Sequence, residues 1–440
     1  MKQSLQRFLA DYGMLFVLGA LCAFFSVVTY SEQSPGGESG ARQLAREIRT
    51  SSGSPPAVLI AVRDHPEDLL FARTLEETLK DSGAKIFTVT GEPKDARDAL
   101  VRRVADGVPL DVVACSPATA GWLVFADLKK DFPALAGTRV LTPSRYKWPN
   151  FLKSENLLNI ANQIAVIAIV AVGMTMVIVT GGIDLSVGSL LALSSVLSSW
   201  LIREIGGGPG ASALSMILCC IVAIVACGGV GGFSGLMITR CGIPPFIVTL
   251  AMMLVGSGVA YILAKGQSIY QIPDSFVWLG RGADLLGLPN AVVLMLVLYA
   301  VAHVLMSRMR LGRYLYAVGG NREAARLSGV PVERVLLFAY VVSALLAGLG
   351  GVIMASQLKS GSATYGNMYE LYVIAAVVVG GTSLSGGEGK ILGTLIGAFT
   401  IAVIQNGMNL TNVESYSQKV VLGLVILAAV LLDRVRQRVR

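Results

Sequence analysis

The sequence predicts an α-helical polytopic membrane protein, with about ten transmembrane helices, an internal repeat and an inserted small α/β domain. Three observations carry this expectation. Of 440 residues, 54% are hydrophobic and only 15% charged, against about 45–50% and about 25% in soluble domains. Apolar runs approaching the roughly 20 residues of a bilayer span recur along the chain, and mean hydropathy is +0.66. Between the first two runs, the pattern changes to short β-rich segments alternating with helical ones, as in a parallel sheet. The 49 glycines agree with the first two observations, because glycine lets membrane helices approach closely.

The expected spans are 13–30, 157–180, 186–202, 212–237, 246–264, 290–307, 335–356, 370–384, 391–408 and 418–433, the eighth being short. The loop 308–334 carries Arg308, Arg310, Arg313, Arg322, Arg326 and Arg334, and the chain ends in "DRVRQRVR". By the positive-inside rule both are cytoplasmic, and Lys2 and Arg7 place the N-terminus there too. An even number of spans satisfies all three constraints. The net charge of +8 therefore reflects topology rather than nucleic-acid binding. The first run is too long for a signal-peptide core, and "SVVTYSEQ" lacks a small-x-small cleavage pattern, so it reads as an uncleaved span.

This topology places residues 31 to about 150 outside the cytoplasm. "SEQSPGGESGARQ" and "RTSSGSPP" mark 31–56 as a flexible linker. An α/β domain over 57–145 follows, with strands at "AVLIAV" (57–62), "KIFTVT" (85–90), "LDVVAC" (110–115) and "RVLTP" (139–143). Helical stretches lie between them: "PEDLLFARTLEETLKDSG", "PKDARDALVRRVADG" and "ATAGWLVFADLKKDF". Gly83 and Gly107 stand at expected helix C-termini, and Asp64 lies in the N-cap region before Pro66. The six cysteines form neither a disulfide framework nor a C-x-x-C pair. The two histidines, His65 and His303, are far apart in sequence, so no metal site is expected.

"VTGGIDLSVGS" breaks the apolar pattern with an acid among glycines, and it has an echo. Gly181, Gly182, Asp184, Ser186 and Gly188 align with Gly380, Gly381, Ser383, Ser385 and Gly387, with Thr382 inside the second copy. Paired interruptions in two halves of a membrane protein suggest discontinuous helices around a central path, since bare backbone is tolerated only where protein or water covers it. Asp184 reads as a helix-start cap or structural acceptor, as a contact to passing substrate, or as an inter-subunit or ATPase-side contact. Asn159 and Gln163 share a helix face, Gln405 and Asn409 repeat that spacing, and Asn406 stands beside them. Such amides suit a hydroxyl-rich solute, offering donors and an acceptor each. The competing reading is hydrogen bonding between helices.

In the basic loop, "GNREAARLSGV" places Glu323, Ala324, Ala325 and Gly329 with the EAA-x-x-x-G spacing of the coupling segment in ATP-binding cassette importers. Small alanines on a short helix suit a groove on a partner ATPase. "SLSGGEGK" is no phosphate-binding loop, because Lys390 is followed by Ile391 and there is no glycine at the upstream position where the motif begins. The chain is therefore expected not to hydrolyse ATP itself.

From about residue 151 onward the sequence resembles the ribose/xylose-type sugar permeases of bacterial ABC importers. The resemblance runs through "NLLNIANQ", "AVGMTMVIVTGGIDLSVGSLLAL", "GIPPFIVTLAMM", "LGRYLYAVGGNREAARLSGV", "YELYVIAAVVVGGTSLSGG", "GTLIGAF" and "NGMNL". It implies a permease domain over 151–440 in the bacterial inner membrane. It also implies a second permease subunit, a cytoplasmic ABC ATPase, and a periplasmic substrate-binding protein that delivers a sugar. No cofactor and no catalytic residue are expected in such a transport subunit. Three departures stand out: Ser257-Gly258 where the family has Arg-Gly, Tyr372 where it has an acid, and the inserted domain. That insert resembles one lobe of a periplasmic sugar-binding protein. An ion-coupled secondary transporter and a membrane sensor using the external domain are the rival classes. The first would need no ATPase; the second would need a cytoplasmic output domain.

Overall fold

The computed structural model describes residues 2–51 and 55–439, with side chains for 13–50 and 55–431. The side chains of Lys2, Arg7 and the basic run 433–440, and residues 52–54 of the expected linker, lie outside the described residues. The chain forms two compact units, Met1–Thr29 with Asn150–Arg440, and Tyr30–Pro149. Helix α1 (Lys2–Val28) opens the first unit.

The second unit runs β1 (Tyr30–Gln33), α2 (Gly37–Ser51), β2 (Ala57–Val62), α3 (Pro66–Lys80), β3 (Lys85–Thr90), α4 (Pro93–Ala105) and β4 (Val112–Cys115). Two single turns, α5 (Leu123–Ala126) and α6 (Leu128–Asp131), then lead to β5 (Arg139–Leu141) and β6 (Tyr146–Pro149). The sheet is parallel in the order β3-β2-β4-β5, and β1 pairs antiparallel with β6. Both faces of β2 are covered, which is why all six of its residues are apolar and buried. Val58, Ile60 and Val62 pack with α2 and α3, whereas Leu59 and Ala61 pack with α4 and α5. The result is a three-layer α/β/α unit.

Three expectations need correction here. Residues 37–51 of the expected linker form helix α2, because Ala41, Leu44, Ala45 and Ile48 recur at helical spacing and bury fully in the core. The single helical stretch expected over 118–132 is instead the two turns α5 and α6. The N-cap of α3 is His65 rather than Asp64, with proline in the first turn and no side-chain cap.

The first unit continues with α7 (Ser154–Val179), α8 (Val187–Glu204), α9 (Ala213–Arg240), α10 (Pro245–Ala264), α11 (Trp278–Arg281) and α12 (Asn290–Arg308). It ends with α13 (Arg310–Gly320), α14 (Arg322–Leu327), α15 (Val332–Leu358), α16 (Tyr369–Val379), α17 (Ile391–Leu410) and α18 (Ser415–Val439). By length and composition, six helices among the described residues are apolar enough to cross a membrane: α7, α9, α10, α12, α15 and α17. The eighth expected span is shorter than 370–384. Helix α16 has 11 residues, about 16 Å of rise against a hydrocarbon core of about 30 Å.

Helix α7 is apolar on every side and lies inside the bundle, as such a helix must. Helices α12, α15, α16 and α17 pack around it, and α15 also crosses α8 and α9. Where the chain leaves and re-enters this unit, the Thr29 carbonyl accepts the Asn150 N–H at 3.0 Å. Its hydroxyl oxygen accepts the Phe151 N–H at 3.1 Å.

Candidate functional site

Helix α7 stops at Val179 because Gly181 turns left-handed, with φ +78°. Its N–H reaches Ile178 O at 2.8 Å, and the Gly182 N–H reaches Val177 O at 3.0 Å. Helix α16 ends the same way: Gly381 has φ +88°, its N–H reaches Val378 O at 2.9 Å, and the Thr382 N–H reaches Val377 O at 3.1 Å. Each is a Schellman-type cap, which satisfies orphan carbonyls and favours glycine at the left-handed position. The caps pair Gly181 with Gly381, one residue away from the sequence alignment that paired it with Gly380. Past the caps the alignment holds. Asp184 Oδ1 accepts the Ser186 N–H at 3.0 Å, and Ser383 Oγ accepts the Ser385 N–H at 3.2 Å.

Asp184 is 2% exposed. Oδ1 also accepts the Ser186 hydroxyl at 2.6 Å, and Oδ2 accepts the Ser343 hydroxyl of α15 at 2.8 Å. Three donors thus hold a carboxylate that burial would otherwise make costly. The neighbouring glycines are packing points: a Cβ on Gly182 would overlap the Tyr340 hydroxyl, one on Gly188 the Glu370 carboxylate, and one on Gly380 the Gly393 carbonyl. Thr382 is buried, and its hydroxyl has no partner among the described residues.

A cavity of about 280 Å³ opens between α7, α15, α16 and α17. Its polar lining is Gln163, Gln357, Tyr369 and Gln405, set among apolar side chains such as Ile164 and Met354. The Gln357 amide donates to Asn162 O at 3.0 Å, which holds its orientation. Of the five amides singled out in the sequence, Gln163 and Gln405 line this cavity and the other three do not. Asn159 is exposed. Asn406 and Asn156 exchange amide hydrogen bonds at 3.0 and 2.8 Å, clasping α17 to α7. Asn409 accepts from Gln418 at 2.8 Å. Tyr372, at a departure from the family pattern, stacks edge-on against the cavity residue Tyr369, with centroids 6.3 Å apart. Ser257 is half-buried on α10.

In the loop after α12, Asn321 caps α14, its side-chain oxygen accepting the Ala324 N–H at 2.9 Å. Gly329 closes the helix with φ +81°, and the Val330 N–H reaches Ala325 O at 3.0 Å. Ala325 faces inward, while Glu323 and Ala324 are exposed. Leu327 stands 88% exposed at the tip.

Residues 156–430 match the family model described as branched-chain amino acid transport system / permease component. The chain is 43% identical over 297 residues to the ribose import permease protein RbsC of Escherichia coli strain K12, covering 66% of this chain and 88% of that protein. It is 46% identical over 288 residues to RbsC of Bacillus subtilis strain 168, covering 65% and 87%. It is 36% identical over 292 residues to the L-arabinose transport system permease protein AraH of E. coli K12, covering 66% and 86%. The chain belongs to the permease components of ABC importers. No solved structure matches it.

The permease is thus a multi-pass membrane subunit that moves solute, and ATP hydrolysis is the work of a partner ATPase. Sequence reasoning missed Gln357 and Tyr369 in its cavity and Leu327 on its loop helix. Gln357 carried a signal, being an amide near the end of a 27-residue apolar helix. Tyr369 and Leu327 carried none, since an aromatic beside an apolar run and a leucine on a short helix usually belong to a core.

Proposed function

We propose that the permease carries a monosaccharide or a related small polar solute, received from a periplasmic substrate-binding protein and driven by a cytoplasmic ATPase. The cavity carries this reading. Its volume of about 280 Å³ falls just under the roughly 300–1,000 Å³ of drug-sized sites, so it suits a small solute. The side-chain amides of Gln163 and Gln405 have no hydrogen-bond partner among the described residues, which leaves them for a ligand rich in hydroxyls. Relatives named for ribose and L-arabinose agree with that chemistry.

In this reading ten spans, α16 with its break counting as one, put both termini and the loop 308–334 in the cytoplasm. The unit Tyr30–Pro149 then lies in the periplasm. The permease works with a second permease subunit. Exposed Glu323, Ala324 and Leu327 of α14 dock the ATPase. The two breaks, Gly181 to Gly188 and Gly380 to Gly387, let the helices beside the cavity rock between outward and inward states. The periplasmic unit docks the binding protein or replaces one of its lobes. Titrating the fragment 30–149 with sugars and with the binding protein tests that last role, and no response to either rejects it.

The deciding experiment is uptake of labelled ribose, arabinose or allose into proteoliposomes holding the permease, its ATPase and its binding protein. We expect ATP-dependent uptake of at least one sugar, lost on Glu323→Arg together with co-purification of the ATPase. Uptake driven by an ion gradient without ATPase would overturn the assignment.

A further inference from the structure

Helix α13 ends in Gly319 and Gly320, one residue before Asn321, the cap of α14. This end lies against both helix breaks at once. The Val179 carbonyl, the last of α7, accepts the Gly387 N–H at 2.8 Å, so the two breaks are bonded to each other. Gly319 lies on that bond. A Cβ there would overlap Val179 O and stand 2.6 Å from Gly387 N. On the other side, a Cβ on Gly386 would stand 2.9 Å from Gly319 O and 3.0 Å from Gly181 N. One turn earlier on α13, the Tyr316 hydroxyl donates to Gly389 O at 2.8 Å.

We infer that Gly319 is a positioning residue for transport, joining the ATPase-docking helix to both helix breaks through direct backbone contact. The inference rests on the reading that α14 docks the ATPase. A displacement of α14 passes through Asn321 to Gly319, and the backbones meeting there have no side chain between them to absorb it by changing rotamer. The displacement therefore reaches the end of α7 and the α16–α17 turn together. Helix α7 carries it from Val179 to Gln163, about 24 Å of helix, and α17 carries it to Gln405. Two rods that border the cavity are then driven from one point. Tight packing alone would also use glycine at Gly319, but it would make no demand on how much solute moves per ATP hydrolysed.

That ratio is the test. Permease variants reconstituted with the ATPase and the binding protein are compared for solute moved per ATP, with co-purification of the ATPase recorded separately. Gly319→Ala is expected to keep the ATPase bound and lower the ratio, within the span of about 2- to 30-fold seen when coupling residues are altered. Gly229→Ala, on an exposed helical glycine with no atom near the added methyl, should leave the ratio unchanged. If Gly319→Ala does not fold, as judged by gel filtration in detergent, Tyr316→Phe decides instead. It deletes one hydroxyl and should lower the ratio by about 2-fold or more. A wild-type ratio in the deciding variant overturns the inference, as does an equal fall in Gly229→Ala. Failure of the docking reading shows differently, as an ATPase that stays bound to Glu323→Arg.

Discussion

The Asp184 carboxylate and the Ser343 hydroxyl lie 2.8 Å apart, 159 residues distant in sequence. This contact ties the first helix break to the middle of α15. The acid thereby stitches two helices together and stays outside the lining of the cavity.

Ser343→Ala should therefore cost stability rather than affinity. Losing one partner of a buried polar group costs about 1–3 kcal/mol, readable as a lower thermal midpoint in detergent, while the KM for uptake stays at its wild-type value. A raised KM with an unchanged midpoint would make Asp184 a contact of the solute instead.

The cavity glutamines should behave in the opposite way. Gln163→Leu and Gln405→Leu each remove amide hydrogen bonds worth about 0.5–1.5 kcal/mol, which is roughly 2- to 13-fold in affinity. Each should raise the KM for uptake without lowering the thermal midpoint. Asn159→Leu, outside the cavity lining, is the reference and should leave KM unchanged.

The Asn156–Asn406 clasp predicts a measurable coupling energy. Each single leucine substitution strands the other amide, so the double variant should be less destabilised than the sum of the singles. Membrane pairs of this kind average about 0.6 kcal/mol and reach about 1.7 kcal/mol. Strict additivity in thermal unfolding would show that the two bonds contribute nothing.

Cys115 supplies the pH dependence. It ends strand β4 with no exposure, and burial pushes its thiol from 9.0 up to about 12. The fold favours the neutral form, so this contribution is fully present below pH 9.0 and is lost as pH rises towards about 12. A variant with Cys115 as its sole cysteine should resist maleimide at pH 8 when folded and react when unfolded. Rapid labelling of the folded protein would contradict the burial.

Legibility in the sequence followed the range of the interaction. Strands β2 and β3 coincide with their expected runs because β-rich apolar segments flanked by Gly, Pro and Asp are local signals. Helix α2 was hidden by the opposite effect, since its glycine- and serine-rich flanks outweighed four apolar residues at helical spacing. The eighth span was overextended because the apolar run ends at Val379, while Thr382 to Leu384 belong to the turn that follows.

The sequence by itself determined the apolar helices, the two glycine breaks, the loop with Glu323 and Ala324, and the membership of the permease family. The first three depend on residues within a few positions of one another, where backbone capping and hydrophobic period act, and the family on ordered blocks along residues 156–430. The tertiary structure alone decided which amides line the cavity and which bond to a neighbouring helix. Gln163 and Gln405 come from helices more than two hundred residues apart and meet at one cavity, while Asn406 turns to Asn156 across a separation of 250 residues. Whether an amide faces a cavity or a neighbouring helix depends on how α7 and α17 rotate as they pack, and that rotation is set by long-range contacts absent from any local pattern.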